Sequence, residues 1–320
     1  NKLESEVGDI DQYVMEELGY KSVDELWKGL MGLQVDGVAS AIYNINNGGA
    51  TIIADQTGVG KGRQAAALIR YAKKIGKIPV FVTIDPNLFT DMWGDLADIG
   101  TTDIVPFIFN DKEGITVKVT EDLSDAIASI ETQVSNWEIT TSEADIIIDG
   151  MIAGNKPTSK LIHVTKGVKR KQTFESIIET GELPDGINSL FFTYSQITSD
   201  NIQRKVVEAI ADRALFVLDE AHNIAGEKTR RVNKEDVISG KPTVYLSATF
   251  AKTPDNLGGF MNTDLRIAVR KEGDIGYALA VGGIPLQTIS TSTLAEYGQV
   301  MRRERSFKGI EVNKTVLTDQ

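Results

Sequence analysis

A glycine-rich segment, ADQTGVGKGR at residues 54–63, constrains the fold of this chain more than any other feature. It follows a short apolar run and precedes a helix-patterned segment, which is the placement that a phosphate-binding loop requires. The glycines let successive backbone N–H groups point at phosphate oxygens, and the helix adds its positive N-terminal end. The lysine supplies a full positive charge for the terminal phosphates. We therefore predict a nucleotide site formed by Thr57, Gly58, Val59, Gly60, Lys61, Gly62 and Arg63.

The loop departs from the usual phosphate-loop pattern at two positions. Asp55 stands where the first glycine usually stands, and Gly62 replaces the Ser or Thr that usually follows the lysine. The second change is the more costly, because it removes a hydroxyl that normally touches magnesium. We expect the metal to depend more on a carboxylate elsewhere and on water.

Apolar runs alternate with amphipathic segments from about residue 50 onward, which is typical of a parallel sheet covered by helices. We predict an α/β fold whose mostly parallel sheet has helices on both faces. The predicted strands are short and rich in β-branched and aromatic residues, and they cover residues 50–55, 78–84, 103–109, 189–194, 214–220 and 243–249. Residues 110–180 break the rhythm and are interpreted as an α/β insertion.

Composition narrows the classes of site and partner. The chain has no cysteine and only two histidines, His163 and His222, which excludes thiolate and multi-histidine metal sites. Any metal should be a hard ion held by oxygen, most plausibly Mg²⁺. The net charge of −11 argues against a broadly basic nucleic-acid surface, although a narrow local contact stays open. No stretch approaches the roughly 20 continuous apolar residues that cross a bilayer, and no secretory signal is visible, so we expect no membrane partner and an intracellular location.

An apolar strand ends in the segment VLDEAHN at residues 217–223. Ligands bind at the carboxyl ends of parallel strands, so these side chains are candidates for catalysis. Asp219 would hold the magnesium, and Glu220 would orient and deprotonate an attacking water. His222 would couple the nucleotide site to the next motif. With Lys61, these three residues form the predicted catalytic set, and Lys61 and Asp219 are expected on adjacent strand tips.

Two further segments accompany the loop and the acidic strand. Ser247-Ala248-Thr249 end another apolar strand, and the hydroxyls of Ser247 and Thr249 are suited to hydrogen-bond the acidic segment. Upstream, GLQVDGV at residues 32–38 places Gln34 before the phosphate loop. An amide donates and accepts at the N6/N7 edge of adenine, so Gln34 is a candidate adenine reader.

Softer signals suggest contacts to nucleic acid. The segment after residue 81 contains Pro86 before a helix, and FFTYSQI contains Thr193 and Tyr194. Core packing or turn chemistry explains them equally well. The basic run at 166–172, with Lys169 and Arg170, would bind phosphates, although a solvated loop is the more frequent explanation.

The ordered set from Gln34 through the loop, TYS, DEAH and SAT resembles the first RecA-like lobe of superfamily 2 helicases. It resembles the strawberry notch family, and related helicase modules of large phage and plasmid proteins, more than Swi/Snf or DEAD-box enzymes. The resemblance implies ATP and Mg²⁺ as cofactors. It further implies DNA as a partner, with RNA not excluded, and a second RecA-like lobe in the same parent polypeptide.

That second lobe would carry arginine fingers in a QxxGRxxR motif, which this chain does not contain. Gln299 with Arg302, Arg303 and Arg305 is superficially similar but has no matching glycine. We interpret LAEYGQVMRRERSF at 294–307 as a basic helix leading toward the second lobe. The expected organisation is a helical extension at 1–29, the RecA-like lobe at 30–262 and a C-terminal extension at 263–320.

Three functions stay open at this point. The first is an ATP-hydrolysing motor lobe of a DNA helicase or translocase, with slow hydrolysis in the absence of a second lobe. The second is a nucleotide-binding switch or scaffold in a larger phage, plasmid or chromatin-associated assembly. The third, a small-molecule P-loop kinase, would need a substrate lid and does not explain Gln34 or the SAT segment.

Overall fold

The computed structural model describes residues 2–56, 58–109, 115–118, 159–162, 170–197, 200–224, 237–248, 259–260, 262–265 and 275–303. The helices are α1 Lys2–Val7, α2 Ile10–Leu18, α3 Val23–Gly29, α4 Gly32–Asn46, α5 Lys61–Lys74, α6 Leu88–Asp98, α7 Arg170–Thr180, α8 Ile202–Ile210 and α9 Ile275–Glu296. The strands are β1 Thr51–Ile53, β2 Ile78–Thr83, β3 Pro106–Ile108, β4 Ile115–Lys118, β5 Ser159–Ile162, β6 Ser189–Thr193, β7 Ala214–Asp219, β8 Thr243–Leu246 and β9 Val300–Met301.

Seven strands form one parallel sheet in the order β3-β6-β2-β7-β8-β1-β9. The six strands predicted from sequence all lie in it, and the prediction of a parallel α/β sheet is confirmed. Because every strand runs the same way, the loops that follow β1, β7 and β8 emerge at one edge of the sheet.

Helices cover both faces of the sheet because successive side chains of its strands point to opposite sides. In β2, Val80 and Val82 enter one core cluster and Phe81 enters the other. The first cluster includes residues of α7, α8 and α9, and the second includes residues of α2 to α6. This double burial explains why the strands read as continuous apolar runs in the sequence.

The N-terminal helices belong to the second core cluster. Val14, Leu18 and Leu26 are buried there together with the apolar face of α5. The Tyr20 hydroxyl donates a hydrogen bond to the Ile99 carbonyl at 2.7 Å, which ties this region to the end of α6. Helices α1, α2 and α3 lie within residues 2–29, and α2 and α3 pack on the lobe, while the division into an extension and a lobe stays a prediction.

The interpretation of residues 110–180 as an insertion needs one correction. Strands β4 and β5 form a separate antiparallel pair, and most of the segment lies outside the described residues. Helix α7, however, packs into the main core, where Phe174 contacts Phe107 and Phe109 edge to face. An insertion reaching residue 180 is therefore too long, since the aromatic face of α7 covers the sheet.

The C-terminal part also differs from the prediction. Helix α9 is interrupted at Gly283 (φ 57°, ψ −152°) and ends at Glu296, before Gly298 with φ 72°. Val300–Met301 then form strand β9 beside β1, where the amides of Ile52 and Ala54 donate to the Gln299 and Met301 carbonyls. The basic helix predicted over 294–307 is thus wrong at 300–301, because the edge of β1 takes a strand as its partner. Among the described residues, no helix combines the length and apolarity needed to span a bilayer.

Candidate active site

The glycine-rich loop forms a tight turn between β1 and α5. Gly58 and Gly60 have φ of 88° and 86°, a region that favours glycine, and α5 begins at Lys61. A Cβ on Gly60 would also lie 2.1 Å from Gln34 Nε2. Both the positive φ and this close approach therefore favour glycine at position 60. The loop therefore sets its amides at the N-terminal end of α5, as a phosphate site requires. Thr57, predicted as part of this site, lies outside the described residues.

The Lys61 side chain folds back over the glycine-rich loop. Its Nζ donates to the Asp55 carbonyl at 2.9 Å, and its charge is among the influences that lower the pKa of Asp219. Both residues stand at the same edge of the sheet, but β8 separates β1 from β7. The predicted adjacency of their strands is wrong, since the strand that ends in Ser247 lies between them.

Asp55, at the unusual first position of the loop, is completely buried and carries an ion pair. Arg303 donates from Nε to Oδ1 at 2.9 Å and from Nη2 to Oδ2 at 2.5 Å, and its backbone N–H donates to Oδ1 at 3.1 Å. The bidentate geometry is the strong form of this interaction. Sequence reasoning gave Arg303 no part in this loop, because the burial of Asp55 and the pairing of β9 with β1 both arise from tertiary packing.

Gln64 and Gly37 complete the surroundings of this ion pair. Gln64 donates to Asp55 Oδ2 at 3.1 Å and accepts from Arg303 at 3.2 Å. A Cβ on Gly37 would lie 2.0 Å from the Gln64 amide oxygen, so α4 provides the space through a glycine. Four residues from four segments thus hold the first turn of the loop.

Gln34 supports the loop from the start of α4. Its amide nitrogen donates to the carbonyls of Val59 and Gly60, both at 3.2 Å, and its oxygen accepts from the Met31 amide at 2.8 Å. The side chain is 1% exposed. The structure brings Gln34 to the predicted site, but its hydrogen bonds hold the loop itself, and adenine reading stays a prediction.

Asp219 ends β7 in a partly buried position, with β2 and β8 as the neighbouring strands. Burial raises the pKa of its carboxyl, and the Glu220 charge adds to this, while the hydrogen bond from Thr83 and the Lys61 charge oppose it. Thr83 Oγ1 donates to Asp219 Oδ2 at 3.0 Å. Tyr194 donates its hydroxyl to the Asp219 carbonyl at 2.8 Å, and burial holds the pKa of Tyr194 well above its ordinary value. Thr83 of β2 therefore holds the carboxylate, and Tyr194, which follows β6, holds the backbone of the same residue.

Glu220 occupies a strained backbone conformation directly after β7. With φ 47° and ψ 45°, it is the one non-glycine residue with positive φ in the described chain. Such a conformation costs on the order of 1–3 kcal/mol and is concentrated at functional sites. The carboxylate lies 3.3 Å from His222 Nδ1. The strained turn directs an acidic side chain away from the strand it follows.

Ser247 connects the acidic strand to the phosphate-loop strand. Its Oγ lies 2.9 Å from His222 Nδ1, and its backbone N–H donates to the Ile53 carbonyl at 3.1 Å. The side chain is fully buried. One residue at the end of β8 therefore contacts both neighbouring motifs, while Thr249 lies outside the described residues.

Gly62 and Arg63 lie in the first turn of α5, and their predicted role in nucleotide binding stays a prediction. Gly62 has no positive φ, and a Cβ there would lie 2.0 Å from Asp95 Oδ2 of α6. Arg63 turns its guanidinium to Asp98, at 2.6 Å, and to the Gly29 carbonyl, at 3.3 Å. Its side chain thus anchors α5 to α6 and α3 instead of lining the loop.

Asp95 is a half-buried carboxylate that the sequence did not single out. Burial raises its pKa to about 6, opposed by the Arg63 charge and reinforced by Asp98, Asp91 and Asp219. No local pattern on α6 signals this position, because the carboxylate is brought to Gly62 only by helix packing.

The residues predicted to contact nucleic acid differ in their exposure to solvent. Thr193 and Tyr194 are 2% and 4% exposed and make hydrogen bonds inside the protein, which favours the core-packing alternative, and their contact to nucleic acid stays a prediction. Pro86 is partly exposed in the turn between β2 and α6. Arg170 begins α7, and Lys169 lies outside the described residues.

The residues present fit a magnesium ion that is shared with a nucleotide. In the described part of the chain, no group of three or more His, Cys, Asp or Glu side chains is arranged to hold a metal by itself. Mg²⁺ is usually held by one or two carboxylates together with substrate phosphates and water. Asp219, aimed at the same edge as the loop, and the space at Gly62 taken by the Asp95 oxygen match that donor set.

Comparisons with known proteins agree with this geometry. Residues 146–257, about a third of the chain, match a family model described as DEAD/DEAH box helicase, and this range includes Asp219 and Ser247. No curated protein sequence matches the chain. The solved SWI2/SNF2 ATPase core of Sulfolobus solfataricus in complex with dsDNA superposes with a TM-score of 0.50 at 14% identity.

That superposition covers 89% of this chain and 47% of the other, so the chain spans about half the length of the protein it matches. At this identity the likeness shows the fold alone. The fold is that of a RecA-like P-loop lobe, and residues 146–257 are similar to the DEAD/DEAH box helicase family.

Proposed function

We propose that the chain is the ATP-binding and ATP-hydrolysing motor lobe of a superfamily 2 DNA helicase or translocase, of the strawberry notch type. One observation carries the proposal. The phosphate loop, the acidic strand end and Ser247 meet at one edge of a parallel sheet, and Ser247 contacts both of the others. A small-molecule kinase gives no reason for that link.

In this proposal, the amides of Gly58 to Gly62 and the Lys61 ammonium bind the triphosphate. The Lys61 side chain would exchange the Asp55 carbonyl for a phosphate oxygen, which is a stronger charged acceptor. Asp219 would hold Mg²⁺, directly or through water. When bound, this ion neutralises charge on the phosphate oxygens.

Glu220 is assigned as the general base for the attacking water. General bases of this kind contribute about 10²- to 10⁴-fold in rate. The contact between Glu220 and His222 places the base one hydrogen bond from Ser247. The pair His222 and Ser247 would report to β8 whether the γ-phosphate is present.

DNA and a second RecA-like lobe of the same parent polypeptide are proposed as partners. The solved relative is a dsDNA complex, and its chain is about twice as long as the part that matches here. A second lobe would supply an arginine finger, which contributes on the order of 10³–10⁵ in related systems. We accordingly propose slow hydrolysis by this lobe alone and an intracellular site of action.

The test is DNA-stimulated ATP hydrolysis by the intact parent polypeptide. Stimulation by DNA that disappears in Lys61→Ala, and persists in Lys28→Ala, would support the motor function. Lys28 is a suitable control because it is an exposed lysine on α3. Stimulation that survives Lys61→Ala would contradict it.

A nucleotide-binding switch or scaffold is the second candidate. Gly62 in place of a hydroxyl residue and the net charge of −11 favour it. A scaffold would bind ATP in a Lys61-dependent way and show the same low turnover with and without DNA. The same experiment therefore separates the two functions.

A further inference from the structure

The Asp95 carboxylate lies where a side chain at position 62 would begin, if that residue were not glycine. Gly62 is the second residue of α5, and its backbone does not require glycine. A Cβ there would lie 2.0 Å from Asp95 Oδ2 and 3.0 Å from the carboxyl carbon. A serine or threonine hydroxyl lies one bond from its Cβ. The Asp95 oxygen therefore stands in the space that such a hydroxyl would occupy.

The surroundings of Asp95 leave this carboxylate available. It makes no hydrogen bond or ion pair with any residue that the structure describes. Arg63, the cation whose charge acts on it most, is bound to Asp98 at 2.6 Å. The carboxylate lies at the N-terminal end of α5, where the helix dipole favours negative charge. This is also the end at which the loop amides converge.

A carboxylate in this position is unfavourable for a bare triphosphate. Two anions a few ångströms apart repel strongly in a partly buried site. A divalent cation between them reverses the sign, and one or two carboxylates with phosphate oxygens form a usual Mg²⁺ environment. Asp219, at the end of β7, is the other carboxylate assigned to this ion.

We propose that Asp95 replaces the missing hydroxyl at Gly62 as the second protein group that holds the divalent cation of the bound nucleotide, directly or through water. The inference rests on the proposed ATP site. Asp95 would act as a positioning residue that makes nucleotide binding depend on the metal. The competing explanation is plain packing, in which glycine only lets α6 approach α5.

The experiment is isothermal titration of the intact polypeptide with a non-hydrolysable ATP analogue, once in Mg²⁺ and once in EDTA. Asp95→Asn should weaken binding in Mg²⁺ by about 10-fold or more, since a contact to a charged group is lost. The same change should leave binding in EDTA equal or tighter, because a repulsive charge is removed. Asp91→Asn, an exposed carboxylate one turn earlier on α6, is the matched control and should change neither value.

A reciprocal exchange strengthens the test. Gly62→Ser alone should weaken binding, because its Cβ would meet Asp95 Oδ2. The double variant Gly62→Ser with Asp95→Ala removes that clash and returns a hydroxyl, so it should recover Mg²⁺-dependent binding relative to Asp95→Ala. Thermal unfolding without nucleotide identifies any variant that fails to fold. If a Gly62 variant fails to fold, the binding of Asp95→Asn in Mg²⁺ and in EDTA is the test of the proposal.

The possible results distinguish a failure of the role proposed for Asp95 from a failure of the proposed ATP site. Equal losses in Mg²⁺ and EDTA, or no loss, in Asp95→Asn would overturn the role of Asp95 while leaving the ATP site intact. If the unmodified protein binds no analogue in Mg²⁺, or if Lys61→Ala binds as well as it does, the proposed function fails and the inference falls with it.

Discussion

Arg303 and Asp55 form a two-point ion pair in which the carboxylate is fully buried, with nitrogen–oxygen distances of 2.9 and 2.5 Å. The pair joins Arg303, two residues after the end of β9, to the first position of the phosphate loop. An aspartate at that position would be costly if unpaired, so the loop depends on a segment that is remote in sequence. The segment after α9 is thereby part of the nucleotide site's support.

Removing the cation should destabilise the lobe. Arg303→Ala leaves Asp55 buried without its partner, and we expect a loss of about 3–5 kcal/mol in the free energy of unfolding. The double variant Arg303→Met with Asp55→Asn should lose less, because no unpaired charge stays buried. Denaturant titration measures both values.

Arg213 provides the control for that measurement. It pairs with Glu182 at the surface, and exposed pairs of this type contribute about 1 kcal/mol or less. If Arg213→Ala and Arg303→Ala cost the same, the buried pair has no special part in the stability of the lobe.

The contact between His222 and Ser247 should transmit the state of the nucleotide. Ser247→Ala removes the hydroxyl that lies 2.9 Å from His222 Nδ1 without removing any group from the phosphate loop. We expect ATP affinity to change little and DNA-stimulated turnover to fall by about 2- to 30-fold, the usual range for a coupling contact. A double-mutant cycle with His222→Ala should be non-additive. Additive effects would show that the two residues act separately.

Asp95 should make stability depend on pH in an identifiable direction. Its pKa is raised to about 6 in the folded protein, so its contribution is most favourable below about pH 4 and is lost as pH rises through 6. At pH 7.5 the charged carboxylate is therefore a cost, and Asp95→Asn should stabilise the nucleotide-free protein by about 1–3 kcal/mol. The gain should shrink toward pH 4 in denaturant titrations. A gain that does not change with pH, or one that Asp91→Asn reproduces, would contradict this assignment.

Gln34 should act on the loop and so on every nucleotide. Gln34→Ala removes the donor to the Val59 and Gly60 carbonyls. We expect the affinities for ATP and GTP to fall together, whereas loss of an adenine reader would weaken ATP selectively. Competition binding with the two nucleotides distinguishes these results, and the exposed Gln12→Ala is the control.

The strands and the glycine-rich loop could be predicted from the sequence, because short local patterns of residues specify them. Six strands followed from their apolar runs, and the loop followed from its glycines, of which Gly58 and Gly60 have positive φ. The contact of His222 with Ser247 joins two motifs that the resemblance had already placed in order. These features depend on residues close together in the chain.

Features that arise from tertiary packing were not predictable in the same way. Arg303 looked like part of a basic helix, because nothing near it in sequence shows that β1 needs an edge partner or that Asp55 needs a cation. Asp95 is one of several acidic residues on α6, and only the packing of α6 on α5 selects it. For Tyr194 the sequence left nucleic-acid contact and core packing open, and only the structure shows that its hydroxyl donates to the Asp219 carbonyl.

The most direct test of the proposed ATPase site is the effect of Glu220→Gln on the intact polypeptide with DNA. The substitution keeps the size of the side chain and removes its ability to accept a proton, so ATP binding should persist while turnover falls by about 100-fold or more. Turnover that stays within about twofold of the unmodified protein would contradict the assignment of Glu220, and with it the chemistry proposed for this edge of the sheet.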